Sequence, residues 1–304
     1  MIYDLNPLKT RLKEKLKKAA ESILDEQTQQ NVGNRRVVFF YNADDPAGVS
    51  YVKSKDRVLK ELGITTHSYD VSTYTPDQIK GLADDAWLMG IPCMFQRPMK
   101  TQEQEVEASK LLPQVDIDAL HPRSELTQCT AWAVTEIIKD YLHISDEHWD
   151  KPKPLAGVSI AVIGRGKLIG RRLCDVLLDK GATLFALNSS TTNSDKRTAL
   201  TYADIVVLCA DKVCYTTNDA YHTTTEHTNK LIIDCGIMRD VDGKIHGCVE
   251  RDIKLPSCGS LKITPVPGGV GPLTVLGVAH NSLKLMEKQI YHNITFSGEN
   301  LFNR

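Results

Sequence analysis

Two spacings of apolar residues alternate along this chain. Between positions 8 and 25, Leu8, Leu12, Leu16, Ala19, Ala20, Ile23 and Leu24 recur at helical intervals with lysines between them, which predicts an amphipathic helix. The run at 37–41 is continuously apolar and rich in valine and phenylalanine, so it predicts a strand; a polar turn and a helical pattern ending at Gly63 follow. A β-type run at 64–71, a helix through 75–86 and the apolar run 87–95 repeat the alternation. A helix over about 130–142 leads into 145–157, where charges, prolines and a closing glycine mark a domain boundary. Beyond it, 158–164 predicts a strand, the next stretch opens and carries a helix to Gly181, and 182–188 predicts the following strand, which completes a βαβ unit. Further strand-like runs stand at 203–210 and 230–237, and an amphipathic segment at 278–290. Strands alternating with helices predict an α/β fold with mainly parallel sheets covered by helices.

Pro265, Pro267, Gly268, Gly269, Gly271 and Pro272 crowd the stretch 263–274. Proline fixes φ and removes a donor, while glycine lets a ligand approach the main chain, so this stretch predicts a backbone-built loop suited to a planar ligand. A tight interdomain turn is the alternative.

Composition narrows the class. At 304 residues, 41% hydrophobic and 25% charged, the chain fits an ordinary globular protein of about two domains. A formal net charge of −1 argues against a nucleic-acid or membrane-surface binder. No apolar stretch reaches transmembrane length and the first residues lack a signal-peptide core, so a cytoplasmic location is expected. The eight cysteines include no CxxC pair and stand mostly in apolar runs, which predicts buried thiols and no metal site.

Candidate chemistry begins at Gly164, Arg165, Gly166, Ile169 and Gly170, a glycine-rich turn between strand and helix. There a helix N-terminus and close backbone approach can cradle a dinucleotide pyrophosphate. No acid closes the second strand of this unit; Ser189 and Ser190 stand there instead, and with Arg165 they suit a 2′-phosphate. NADP is therefore expected, with NAD as the alternative. In the first half, Tyr51 and Lys55 share one face of a predicted helix, although most helix lysines are simply solvated. Gln96 follows a strand, where a polar cap is ordinary. Asp116 and Asp118 could orient a heterocycle or form an acid/base or metal pair, and no cluster of further ligands stands near them in sequence.

These segments, in this order, resemble the bifunctional methylenetetrahydrofolate dehydrogenase/methenyltetrahydrofolate cyclohydrolase family. The resemblance rests on the 263–274 loop, the Tyr51 to Lys55 segment, the Gln96 strand end, the run from Asp116 to Leu120, and Ala203-Asp204-Ile205, Ile233 to Ile237 and Asp242 to Gly247. Departures stand at Gln128-Cys129-Thr130-Ala131, at Gly166 where the family has serine, at Arg97 and Met99, and at Cys248. The resemblance implies a two-lobed α/β fold: a folate-binding catalytic domain over 1–143 and 272–304, and a Rossmann-type domain over 144–271, with the C-terminal helix returning to the first domain. It implies Lys55 as proton carrier, Gln96 as its support, and Tyr51 packed on the substrate ring. It also implies that Asp118 orients the pterin and that Pro267, Gly268 and Gly269 form a backbone wall. The nucleotide would meet Gly164, Arg165, Gly166, Ile169, Gly170, Ser189, Ser190 and Ile237. A homodimer acting on tetrahydrofolate derivatives is expected. As an exposed cleft residue, Lys55 would be worth little to stability. A dehydrogenase acting alone, and a non-catalytic nucleotide-binding paralogue, are the other readings.

Overall fold

Apolar residues spaced for burial on one side begin the fold. The computed structural model describes residues 1–30, 36–224, 229–257 and 259–291; Cys258 and the end of the expected 272–304 segment lie outside them. Helix α1 (Asn6–Gln30) buries Leu8, Leu12, Leu16, Ala20 and Ile23. Then come β1 (Arg36–Tyr41), α2 (Pro46–Glu61), β2 (Thr65–Asp70), α3 (Pro76–Leu88), β3 (Cys93–Phe95) and α4 (Gln102–Ala108). Helices α5 (Cys129–Tyr141) and α6 (Asp146–Trp149) lead to β4 (Ser159–Ile163), α7 (Gly170–Asp179), β5 (Thr183–Leu187), α8 (Asn193–Tyr202) and β6 (Ile205–Leu208). The chain continues through α9 (Thr217–Thr223), β7 (Asn229–Asp234), the hairpin strands β8 (Met238–Arg239) and β9 (Ile245–His246), β10 (Ser260–Ile263) and α10 (Val270–Tyr291).

The chain forms two compact units, one of residues 11–129 with 275–304, the other of 1–10 with 130–274. In the first, β2-β1-β3 make a parallel sheet, and Val38, Phe40, Ile79, Ile91 and Phe95 lie in its core with Phe40 stacked on Phe95 at 4.7 Å. Helix α10 serves this unit: Asn281 Nδ2 donates to the carbonyls of Ile117 (3.0 Å) and Thr127 (2.9 Å), and Gln289 Nε2 donates to that of Gly90 (2.6 Å). In the second unit the parallel sheet runs β10-β7-β6-β4-β5, so successive strands add on opposite sides of β4 and the order reverses there. Residues 1–3 extend it, with Ile2 bridging Ile263 and Lys262 Nζ held between the rings of Tyr3 and Tyr141.

Two expectations change. The apolar run 87–95 is not one strand: Trp87 and Leu88 end α3 and stand exposed, and only residues 93–95 pair. The turn after α3, with Gly90 at φ 57°, breaks the run. The 263–274 stretch is also not one loop, since β10 ends at Ile263 and α10 starts at Val270. Pro272 is tolerated because the first helical N–H groups lack intrahelical acceptors in any case.

Candidate active site

In the first unit, α2 opens where Asp45 accepts from the backbone N–H groups of Ala47 and Gly48, with Pro46 at the first position. The helix carries Tyr51 and Lys55 one turn apart, with Lys55 Nζ 6.0 Å from the Tyr51 ring centre. Lys55 is buried, only 5% exposed, which corrects the expectation of an exposed cleft lysine. Its spacing puts it on the same face as Val52 and Leu59, the face that packs inward. The strand end after β3 brings Gln96 to it: Nζ donates to Gln96 Oε1 at 2.5 Å, while Gln96 Nε2 donates to the Arg97 carbonyl at 2.9 Å. The Arg97–Pro98 peptide is cis.

Burial pushes the Lys55 amine below its usual range, because an ammonium loses solvation there, and the negative charge of Asp118 partly restores it. Asp118 follows a tight turn built by Asp116, whose carboxylate accepts from the backbone N–H groups of Asp118, Leu120 and His121. Burial, aided by repulsion from Asp118, raises the Asp116 carboxyl to about 6. Cys129 closes the cluster: its thiol reaches the Ile117 carbonyl at 3.2 Å and hydrogen-bonds Asp118, and burial pushes it far up, so it is a neutral thiol. Tyr51, Lys55, Gln96 and Asp118 therefore belong to one neighbourhood.

Spacing did not assign roles to Arg97, Cys129 or Asn281. Arg97 pairs with Glu105 and senses both Asp116 and Asp118. Asn281 Nδ2 lies 3.4 Å from Cys129 Sγ. Asn281 is one of three buried polar residues in 278–290, with Ser282 and Gln289, and its spacing gave no signal of its partners.

In the second unit, β4 feeds the glycine turn. Gly164 has φ +99°, and a side chain there would come within 2.6 Å of the Cys209 carbonyl oxygen. At Gly170 a Cβ would fall 1.8 Å from the Gly164 carbonyl, so the helix start sits directly on the turn. Helices α2, α3, α4, α8 and α9 each carry a capping side chain, whereas α7 begins at Ile169 with none. Such a start, beside exposed Arg165, Gly166 and Lys167, fits an anionic diphosphate. Ser189 and Ser190 are exposed just after β5, and Ile237 is 49% exposed after β7. Pro267 is exposed, Gly269 is buried, and the Gly268 carbonyl accepts from Lys9 Nζ at 3.2 Å.

Residues 128–290 match the family model described as tetrahydrofolate dehydrogenase/cyclohydrolase, NAD(P)-binding domain. The chain belongs to this family. It is 32% identical to the bifunctional protein FolD of Caldicellulosiruptor saccharolyticus over 90% of this chain and 95% of that protein. Against the FolD of Nitrosomonas eutropha it is 31% identical, over 80% of this chain and 81% of that relative. Among solved structures, the FolD dehydrogenase/cyclohydrolase of Campylobacter jejuni superposes with a TM-score of 0.76 at 24% identity, covering 95% of this chain and 99% of that one. The expected FolD-like α/β fold is thus present. Among the described residues no helix is long and apolar enough to cross a membrane, and no group of three or more His, Cys, Asp or Glu could hold a metal.

Proposed function

We propose that this protein oxidises 5,10-methylenetetrahydrofolate to the methenyl form with NADP and hydrolyses that product to 10-formyltetrahydrofolate. One observation carries the reading: a buried lysine of lowered basicity, gripped by a glutamine amide, in the neighbourhood of a carboxylate. A dehydrogenase acting alone has no need of that arrangement, which favours retention of the hydrolytic half.

Tyr51 supplies an aromatic face for the folate ring, and Asp118 accepts from the pterin amino group and ring N–H, a charge-assisted contact at two points. Lys55, as a neutral amine, takes a proton from the water that attacks the methenyl carbon and returns it when the carbon–nitrogen bond opens. Gln96 holds Lys55 in place and polarises the developing oxygen. Pro267, Gly268 and Gly269 keep the role of a peptide surface for substrate. A bound nicotinamide would supply the hydride acceptor for oxidation of the one-carbon bridge. The turn at Gly164, Arg165, Gly166, Ile169 and Gly170 holds its diphosphate, Arg165 with Ser189 and Ser190 meets the 2′-phosphate, and Ile237 offers an apolar contact. The folate-binding role is assigned to 1–143 and 272–304 and the nucleotide role to 144–271, in a cytoplasmic homodimer.

Absorbance assays with methylenetetrahydrofolate and each nicotinamide nucleotide test the oxidation, and decay of added methenyltetrahydrofolate tests the hydrolysis. Oxidation without accelerated hydrolysis would reduce the reading to a dehydrogenase; neither activity would refute it.

A further inference from the structure

Four cysteines that the site does not use gather in the second unit as two pairs, one just beyond the ends of β6 and β7 and one beside an isolated backbone bridge. Cys209 and Cys235 follow the register pair Leu208 and Asp234 of β6 and β7. Cys214 and Cys248 directly precede the parallel bridge between Tyr215 and Val249. The Cys214 N–H donates to the Cys248 carbonyl at 2.9 Å and the Tyr215 N–H to the same oxygen at 3.2 Å, so the two cysteines stand side by side on paired loop segments. Neighbouring strands lie about 4.8 Å apart, within the Cα window of roughly 4.4–6.8 Å that a disulfide needs. The two side chains face each other, since their thiols share a hydrogen bond.

The two thiols differ in a useful way. Cys214 is half-exposed, at the end of the exposed run Asp211, Lys212, Val213, whereas Cys248 is fully buried with its Sγ 3.1 Å from the Ala210 carbonyl. A hydrogen bond from Cys248 lowers the acidity threshold of Cys214, and Lys196 helps, while Cys248 itself is held strongly protonated.

We propose that Cys214 and Cys248 form a dithiol modification site that a hydroperoxide converts to a disulfide. The Cys214 thiolate attacks a peroxide oxygen, the O–O bond breaks, and water or an alcohol leaves once protonated, giving a sulfenic acid. The Cys248 sulfur then attacks the Cys214 sulfur, its proton leaves with the displaced hydroxide as a second water, and the S–S bond forms. Two electrons pass from the sulfurs to the peroxide. No strand needs to shift, because the backbone pairing already exists in the reduced protein. The bridge ties the loop leaving β6, whose first carbonyl packs under Gly164, to the segment whose N–H groups at Cys248 and Val249 are held by Asp234.

The test is peroxide treatment of the reduced full chain followed by peptide mapping without reduction. A linked Cys214–Cys248 peptide is expected, with loss of two of the eight titratable thiols and recovery of both with a dithiol reductant. Cys248→Ser should leave Cys214 as a sulfenic acid that dimedone traps. A bridge between Cys209 and Cys235 in its place, an unmodified Cys214, or sulfinic acid on Cys214 without a linked peptide overturns the proposal. The wild-type map decides the matter even where the variant fails to fold.

Discussion

Lys55 is buried with Gln96 as its hydrogen-bond partner, so replacing it has two opposed effects on stability. Lys55→Met removes an ammonium that burial disfavours and leaves the Gln96 oxygen without its donor. The net change is expected within about 1 kcal/mol. Hydrolysis of methenyltetrahydrofolate should nevertheless vanish; a folded variant that hydrolyses at the wild-type rate removes Lys55 from the mechanism. In the wild type that hydrolysis should rise with pH through an apparent pKa below the ordinary 10.5 of lysine, since the neutral amine is the working form. Asp118→Ala should raise the KM for folate by a factor of about ten to a hundred, the scale of a charge-assisted contact, with nucleotide affinity unchanged. Equal loss of both affinities would instead assign Asp118 to the scaffold. Asp116 gives a stability signature. Its carboxyl sits at about 6 in the fold against 3.8 in the unfolded chain, so between these values the folded state binds more protons. Its contribution is complete below pH 4 and is lost as pH rises through 6, a change of about 3 kcal/mol. The unfolding free energy of the wild type minus that of Asp116→Asn should therefore fall by about that amount as pH rises across the window; a constant difference would show that Asp116 titrates normally. Tyr51, Lys55, Gln96 and Asp118 could be singled out in the sequence only through the family resemblance, since spacing alone leaves a solvated helix lysine and an ordinary strand cap. Burial of Lys55 could not be read there, since it depends on what packs over α2.

The glycine turn and α7 act as one element, and its second and third glycines do different work. Gly170→Ala drives a methyl group into the Gly164 carbonyl, whereas a Cβ at Gly166 meets nothing within 4 Å. The first should cost at least about 2 kcal/mol of stability and abolish nucleotide binding, and the second should stay within about 0.5 kcal/mol. Melting curves with and without nucleotide distinguish them, and equal tolerance at both sites would contradict the packing described. Arg165→Ala should lower kcat/KM for NADP by about tenfold and leave NAD nearly unchanged, because only NADP carries the 2′-phosphate. The idea fails if the wild type turns over faster with NAD at equal concentration. Elements with strong periodicity, such as α1, β1, α2 and the βαβ around Gly164, could be seen in the sequence. Helices α4, α8 and α9 were not read because their faces are short and polar; the N-capping Thr101, Thr192 and Thr216 were the signal that marks their starts. The start of α10 was hidden by its own composition: glycine and proline oppose a helix interior but are tolerated in its first turn.

At the scale of the whole chain, alternation of strand and helix was enough to predict two parallel sheets, whereas the pairing of distant segments was not. Nothing in the spacing of 278–290 announces that Asn281 satisfies carbonyls at Ile117 and Thr127, 164 and 154 positions earlier. Asn281→Leu leaves the buried carbonyl of Ile117 and the partly buried one of Thr127 without that donor and should destabilise by about 2–4 kcal/mol, measured by denaturant midpoint. A neutral result would mean that other donors replace it. The same contact has a bearing on how the protein is made. The unit of residues 1–10 and 130–274 has all of its chain once Thr274 has been synthesised, but the other unit waits for α10. At ordinary rates of translation, roughly ten to thirty seconds separate the emergence of Ile117 from that of Asn281. During that interval the segment around Ile117 and Thr127 on the ribosome lacks its final partner, which makes it the natural place for a chaperone to bind and for a stalled or truncated product to be recognised and degraded.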